Sequence, residues 1–533
     1  FASQRALELC RALGVRRLPL TMGEKWCWPR MLAWASQAVK VGPQHKLKTI
    51  GEGTRVAWLI NQASVKYGGK AGLLEGSVLL LVEPGTYTEA LYIQKGHGRY
   101  RVSIWACDRP SESAKEEGEL QKVKWIGNDD DTLCVDGHSS FVGVNGIHMS
   151  ATKSEGYQGD RICCAFAAGG ASLSLERCDL TCQDASVIDV AYTAEGGGIP
   201  MVTDEGVPAV STVTTTAIVS NCCIHGGQET GVTVSRNGKA TLQNNEIHSN
   251  THAGVYMHSG SKVTLVNNDI HSNAESGVHA WGKGTEVIVR GNRIFQGKDS
   301  GVLVRDEAKG TIENNDIHSN SESGVDVSGE GTVAVLRGNR IFEGKQGGIS
   351  IFGKASAECE DNTVHSNTTS NVTVSDEGTK AVLKGNVVRD GKEAGVIIRS
   401  NGSALLENND IHSNTRANVA VTDGGSEAVV MGNRIHDGKN CGVVVSNTGK
   451  ATLAENTIEG NDLAGVCVSD KSHVSLEGNT IRGNGRCTIE RTAEELAAWS
   501  EAGVIVHRSA DGFPGVQVED STVVYLPKAN IIE

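Results

Sequence analysis

At 533 residues the chain could hold several ordinary domains, yet 65 glycines, 9 prolines and 4% aromatic residues suit many tight bends between short strands better than large aromatic-rich cores. A formal net charge of −13 excludes a broad surface for nucleic acid or anionic lipid, since both require clustered Lys and Arg. No apolar run approaches the roughly 20 residues that cross a bilayer, so no membrane span is expected.

Residues 1–75 carry no repeat. Helical patterns over Ala2–Leu13 and Trp28–Val39, together with Trp26, Trp28, Trp34 and Trp58, predict an N-terminal helical cap over strand edges that would otherwise be open. Because the chain opens on Phe1, a processed or truncated start is expected, with any targeting segment out of view. Residues 76–220 read as irregular β coils. Val78–Val82 predicts the first strand, and later coils are marked by Val142, Asn145 and Ile147, by Leu173, Leu175, Cys178 and Leu180, and by Ala217, Val219, Cys222 and Ile224. Loops at Asp108–Gln121 and Ala191–Thr216 interrupt them.

From 221 to 484 the repeat is regular. A small-x-aliphatic-x-x-Asn-x-Ile template appears at Ala240, Leu242, Asn245 and Ile247, and its Asn recurs from Asn268, Asn292 and Asn315 to Asn479 at spacings that alternate 23 and 24 almost without fault. Segments 47 residues apart match best, so the duplicated unit is a pair of coils. About nine residues after each Asn comes Gly-Val-x-Val or a relative of it, as at Gly254, Gly277, Gly301 and Gly324. Period-two alternation marks strands, while Gly and Asn mark bends that tolerate φ > 0. Each coil thus has three short strands, and it must stack on neighbours because its few buried aliphatic groups cannot offset the ordering of its own backbone. The Asn column is expected to hydrogen-bond up the stack while its own backbone forms the bend. Residues 485–502 read as a helical insertion, with Thr492, Glu494 and Glu495 near a capping-box arrangement, and 503–533 as the last coil and C-terminal end. The expected fold is all-β: a parallel β-helix solenoid of about 15 coils with an N-terminal helical cap.

Segments such as Gly291-Asn292-Arg293-Ile294-Phe295 and Glu313-Asn314-Asn315-Asp316-Ile317 resemble the right-handed parallel β-helix repeats of the pectin-lyase-like superfamily. They look closest to the branch in β-helix F-box proteins and in carbohydrate-binding and sugar-hydrolase repeat proteins, whose first coil is similar to Glu83-Pro84-Gly85-Thr86-Tyr87-Thr88-Glu89. The resemblance covers about residues 75–530 and implies a right-handed β-helix; that superfamily includes lyases, hydrolases, epimerases and non-catalytic domains. An F-box is not evident in residues 1–70, so no ubiquitin-ligase role is carried over.

Carbohydrate cleavage on such a fold requires acids brought together by successive coils. The outward positions of the Gly-x strands are Thr233, Tyr256, His279, Leu303, Asp326, Ser350, Thr373, Ile397, Ala420, Val444 and Cys467, and one carboxylate in eleven makes no pair. Gly96-His97-Gly98 and Ile435-His436-Asp437 are fragments of catalytic motifs without their required partners. A histidine column at His148, His225, His248, His271, His318, His365, His412 and His436, alternating with Phe295 and Phe342, reads as repeat inheritance and outer-face stacking, because histidines two coils apart lie about 9–10 Å from each other. Fourteen cysteines without CxxC spacing read as buried reduced thiols, a lean towards a reducing intracellular compartment.

The best binding surface combines Tyr256, His258, His279, Trp281 and Arg305, where aromatic and Arg side chains suit sugar stacking or a peptide contact. The leading expectation is a non-enzymatic structural or protein-interaction module, a subunit of a larger assembly with a protein partner and with no catalytic residue, cofactor or metal. The alternative is a polysaccharide-active enzyme, whether lyase, hydrolase or epimerase, with its site in the irregular coils near Asp129, Asp136 and His138, or else a glycan-binding module.

Overall fold

The computed structural model describes residues 39–55 save 43 and 46, 57, 78–93, 101–106, 123–136, 140–155, 162–191, 214–485, 515–518, 522–525 and 531–532. The helical patterns before residue 39, the loops within 107–122 and 192–213, and the helix expected after 485 lie outside the described residues. Within the segment expected to be a cap, Val39–Val41 is a strand and residues 50–55 are helical.

The chain forms a parallel β-solenoid of about 15 coils and divides into two compact units, Phe1–Asp269 and Ile270–Glu533. Each coil contributes a strand to three faces. The leading face holds the strand before the landmark Asn, the Ile face the strand after it, and the Gly face the Gly-Val-x-Val strand. In unit 1 these are Lys239–Gln243, Glu246–His248 and Val255–His258, each paired in parallel with the equivalent strand of the preceding coil. In unit 2 the same triplet begins with Glu286–Arg290, Arg293–Phe295 and Val302–Arg305. Period-two alternation follows from this geometry: Leu242, Ile247, Val255 and Met257 point inward and are fully buried, while their neighbours face out.

The landmark asparagines are the polar spine. Asn386 is 3% exposed; its Oδ1 accepts from the Asn362 backbone N–H (2.9 Å) and Asn362 Nδ2 (3.0 Å), and its Nδ2 donates to the Cys359 carbonyl (2.8 Å) and Asn409 Oδ1 (2.9 Å). Every hydrogen-bonding capacity of that amide is used. The same pattern runs from Asn315 through Asn339 and Asn362 to Asn456 in unit 2, and in unit 1 Asn245 donates to Asn268 Oδ1 at 2.9 Å. The bend, however, belongs to the residue before the landmark: Asn314, Gly338, Asp361 and Gly385 all have φ between 54° and 64°.

A second ladder lies five residues after the first. Asn320, Asn367, Asn414 and Asn461 accept from the backbone N–H of Gly297, Gly344, Gly391 and Gly438 at 2.9–3.0 Å, so Asn and Gly alternate along it with the 47-residue period. Where Asn371 and Asn418 replace the landmark Gly, their side chains join this ladder, accepting from Asn367 and Asn414 at 2.8 Å. Glycine elsewhere at that position reflects close approach: a Cβ on Gly324 would sit 2.3 Å from Ile341 Cγ2.

One landmark shifts. Val142 and Val144 align with Leu173 and Leu175, so Asn145 stands opposite Glu176, and Ile147 takes the landmark place opposite Cys178. His148 therefore occupies the first outward position of the Ile face, opposite Asp179, two places from where the sequence pattern puts it.

Asn386→Ala strips four side-chain hydrogen bonds and takes this partner from the buried Asn362 donors and the Cys359 carbonyl of the preceding coil, while Asn409 Oδ1 keeps the residue-386 backbone N–H. Guanidinium unfolding should show a loss of at least about 2 kcal/mol, against under about 1 kcal/mol for an exposed control such as Lys380→Ala.

Candidate functional site

The five predicted surface residues fall on two units. In unit 1, Tyr256 and His258 share the strand Val255–His258 with ring centroids 5.1 Å apart, and burial holds the His258 imidazole below its usual range. In unit 2, Trp281 lies directly opposite Arg305 and His279 opposite Leu303 on adjacent strands of the Gly face. Asp306 joins the first pair, accepting from Trp281 Nε1 at 2.9 Å and facing Arg305 Nε at 3.4 Å. An indole and a guanidinium are thereby fixed side by side on a rigid strand edge.

Asp326 stands on the next coil, opposite Leu303 on one side and Ser350 on the other. Its Oδ1 is sealed from solvent and has no hydrogen-bond partner among the described residues. Burial first, and then the negative charge of Asp299, push the carboxyl up to about 7; Ser328 and Arg305 oppose the shift and Glu322 adds to it. Asp299 accepts from Ser276 Oγ at 2.8 Å.

The sequence reading missed this group because it scanned only the outward strand positions, where Asp326 is alone. The second carboxylate comes from the turn. The place two residues before the landmark Gly holds Glu275, Asp299 and Glu322 on three consecutive coils of unit 2, and that spacing was the available signal. One carboxyl that keeps its proton near neutrality beside a hydrogen-bonded carboxylate is the pairing that acid/base chemistry needs.

The Ile face carries the histidine column. His271, Phe295, His318, Phe342 and His365 stack in sequence with centroids 4.8–5.0 Å apart, the strand spacing of the ladder, as the stacking interpretation expects. Unit 1 departs from this. Asp179 accepts from His148 Nδ1 at 2.8 Å and from His225 Nε2 at 2.9 Å, and these bonds hold the Asp179 carboxyl well below its usual range and raise the His225 imidazole. Cys223 lies between Asp179 and Glu246 on the first outward column; burial and those two carboxylates push its thiol up to about 11. In unit 2, His436 bridges Asp410 and Asp437 at 2.9 and 2.7 Å.

Of the other fragments, Asp129 is taken up by Ser154, which donates from both its backbone N–H and its hydroxyl at 2.6 Å, while His97 and His138 lie outside the described residues. Eight of the ten described cysteines are buried. Among the described residues no helix is long and apolar enough to cross a membrane.

No curated protein matches the chain in sequence. Among solved structures it is similar to the A-module of a mannuronan C-5 epimerase from Azotobacter vinelandii, with 12% identity, TM-score 0.29, and coverage of 83% of this chain and 97% of that one. It is also similar to the catalytic domain of an alpha-1,3-glucanase in complex with tetrasaccharides, with 10% identity, TM-score 0.37 and coverage of 95% and 71%. A third is the DFA-IIIase of Arthrobacter chlorophenolicus A6, with 15% identity, TM-score 0.31 and coverage of 80% and 94%.

The expected non-enzymatic structural or protein-interaction module is corrected here. That expectation rested on there being no second acid beside Asp326, and the charge of Asp299, carried on the turn, acts on that carboxyl. A protein partner and the F-box branch have no support among these matches. A family model described as a right handed beta helix region matches residues 206–369, 327–484 and 370–527, more than half of the chain together, and the protein belongs to that right-handed β-helix family.

Proposed function

We propose that the chain is a polysaccharide-active enzyme whose site is the Gly face at the start of unit 2, with Asp326 as proton donor and Asp299 as its partner carboxylate. The observation that carries this reading is the buried, half-partnered Asp326 carboxyl, held at about 7 beside a second acid. A carboxylic acid that keeps its proton near neutral pH can protonate a leaving glycosidic oxygen, and the nearby carboxylate can assist from the other side. Trp281 offers a flat apolar face on which a sugar ring can stack, and Arg305 offers a donor fork suited to a hydroxyl pair or a uronate carboxylate. The glycan is thus the expected ligand, and breakage of a glycosidic bond the reaction that this acid pair fits best.

A panel of neutral and acidic polysaccharides, read by release of reducing ends and by absorbance of unsaturated products, tests the assignment. Asp326→Asn should lower kcat on the active substrate by at least about 100-fold, while Trp281→Ala should act mainly by raising KM. Failure of every substrate, or full activity in Asp326→Asn, sinks the proposal.

The same carboxyl predicts a stability profile. A native-state value of about 7 against an ordinary 3.8 means that the folded chain holds this proton more tightly than the unfolded one. That contribution is fully present below about pH 3.8 and is lost as pH rises through about 7. Asp326→Asn removes the loss, so at about pH 8 the variant should be more stable than the parent by on the order of 1–3 kcal/mol, and near pH 4 the two should coincide in denaturant unfolding.

A further inference from the structure

Unit 1 offers a second chemistry on a different face. Cys223 and Glu246 are register partners in the first outward column of the Ile face, and His248 is the second outward residue of the same strand as Glu246. Their donor atoms lie within 4.8 Å of one another, and Cys223 Sγ stands 3.5 Å from His248 Nε2. Two ligands on a tetrahedral zinc ion, with Zn–S about 2.3 Å and Zn–N about 2.05 Å, are themselves separated by about 3.6 Å. The sulfur and the imidazole are therefore already at ligand-to-ligand distance.

The ring is also aimed. His248 Nδ1 is 3.0 Å from the Ser249 hydroxyl, and in the tautomer in which Nδ1–H donates to that oxygen the Nε2 lone pair faces the sulfur, as metal-ligating histidines require. The His225 ring stacks on it at 5.2 Å with 3° between planes, which fixes the plane of the imidazole. Asp179 is engaged by His148 and His225 and supplies negative charge beside the site without leaving those bonds. Along the first outward column the coils from Asp179 to Thr480 otherwise present Asp, Glu, Arg, Thr or Val, and the Cys223 thiol is what distinguishes this place.

We propose that Cys223, Glu246 and His248 form a binding site for a borderline-soft divalent transition ion of the Zn2+ class, with a fourth position open to water or ligand. One sulfur, one imidazole nitrogen and one carboxylate oxygen make the mixed donor set such ions prefer over Ca2+ or Mg2+, which take oxygen ligands. Binding replaces the thiol proton with the metal and releases that proton to solvent.

The full chain, stripped with a chelator, is titrated with Co2+ alone and then with Zn2+. The proposal expects one tightly held Co2+ with a thiolate-to-cobalt charge-transfer band, displaced by one equivalent of Zn2+. Cys223→Ser should abolish the band, and His248→Ala and Glu246→Gln should each weaken binding at least about tenfold, while Asp326→Asn in the other unit should leave it unchanged. Should Cys223→Ser fail to fold, the two other variants, checked by circular dichroism, decide the matter. Absence of stoichiometric binding, or a band that persists in Cys223→Ser, or affinities unchanged in His248→Ala and Glu246→Gln, overturns the site.

Discussion

The saturated asparagine ladder is the interaction on which the rest depends. A buried amide is costly unless all of its donors and acceptors are met, and stacking at the strand spacing lets each Asn meet them with the equivalent residue and a carbonyl of adjacent coils. Asn339, for instance, donates to both Asn362 Oδ1 and the Ile312 carbonyl. The ladder locks register: a slip by one residue would strand a row of amides in an apolar interior. With register fixed, every outward column inherits a spacing of about 4.8 Å, and chemistry becomes a matter of which side chains meet along a column.

Most columns are filled by inheritance. The His and Phe stack on the Ile face and the Arg–Glu pairs beside it, such as Arg290 with Glu313 at 2.7 Å, repeat because the coil pair was duplicated. Function-like features arise where that inheritance is broken. The two-residue shift at Asn145 delivers His148 to Asp179, and replacement of the landmark Asn by Cys222 is followed by Cys223 in an outward place. In unit 2 burial, and after it the charges of Asp299 and Glu322 from the turn position, raise the Asp326 carboxyl.

The two proposed sites differ in kind. In the Gly-face group burial and like charge raise a carboxyl. The Ile-face group in unit 1 depends on unlike donors held at fixed separation, with hydrogen bonds that orient them. Both are rigid because their side chains sit on strands and not on loops.

The sequence by itself determined the three-strand coil, the 47-residue duplication and the identity of the buried column, because hydrophobic alternation and the Asn spacing are local and periodic signals. It also marked Trp281, Arg305 and His279 as one surface, since equal positions in successive repeats must align. Tertiary structure alone decided what happens where periodicity fails. The offset of His148 depends on how an irregular coil pairs with its neighbour. The charge of Asp299 acts on Asp326 from a turn whose path no strand period describes. The second Asn ladder was visible letter by letter at Asn320 and Asn367, yet its partners are backbone N–H groups of Gly297 and Gly344, which become acceptors' counterparts only once the coils are stacked.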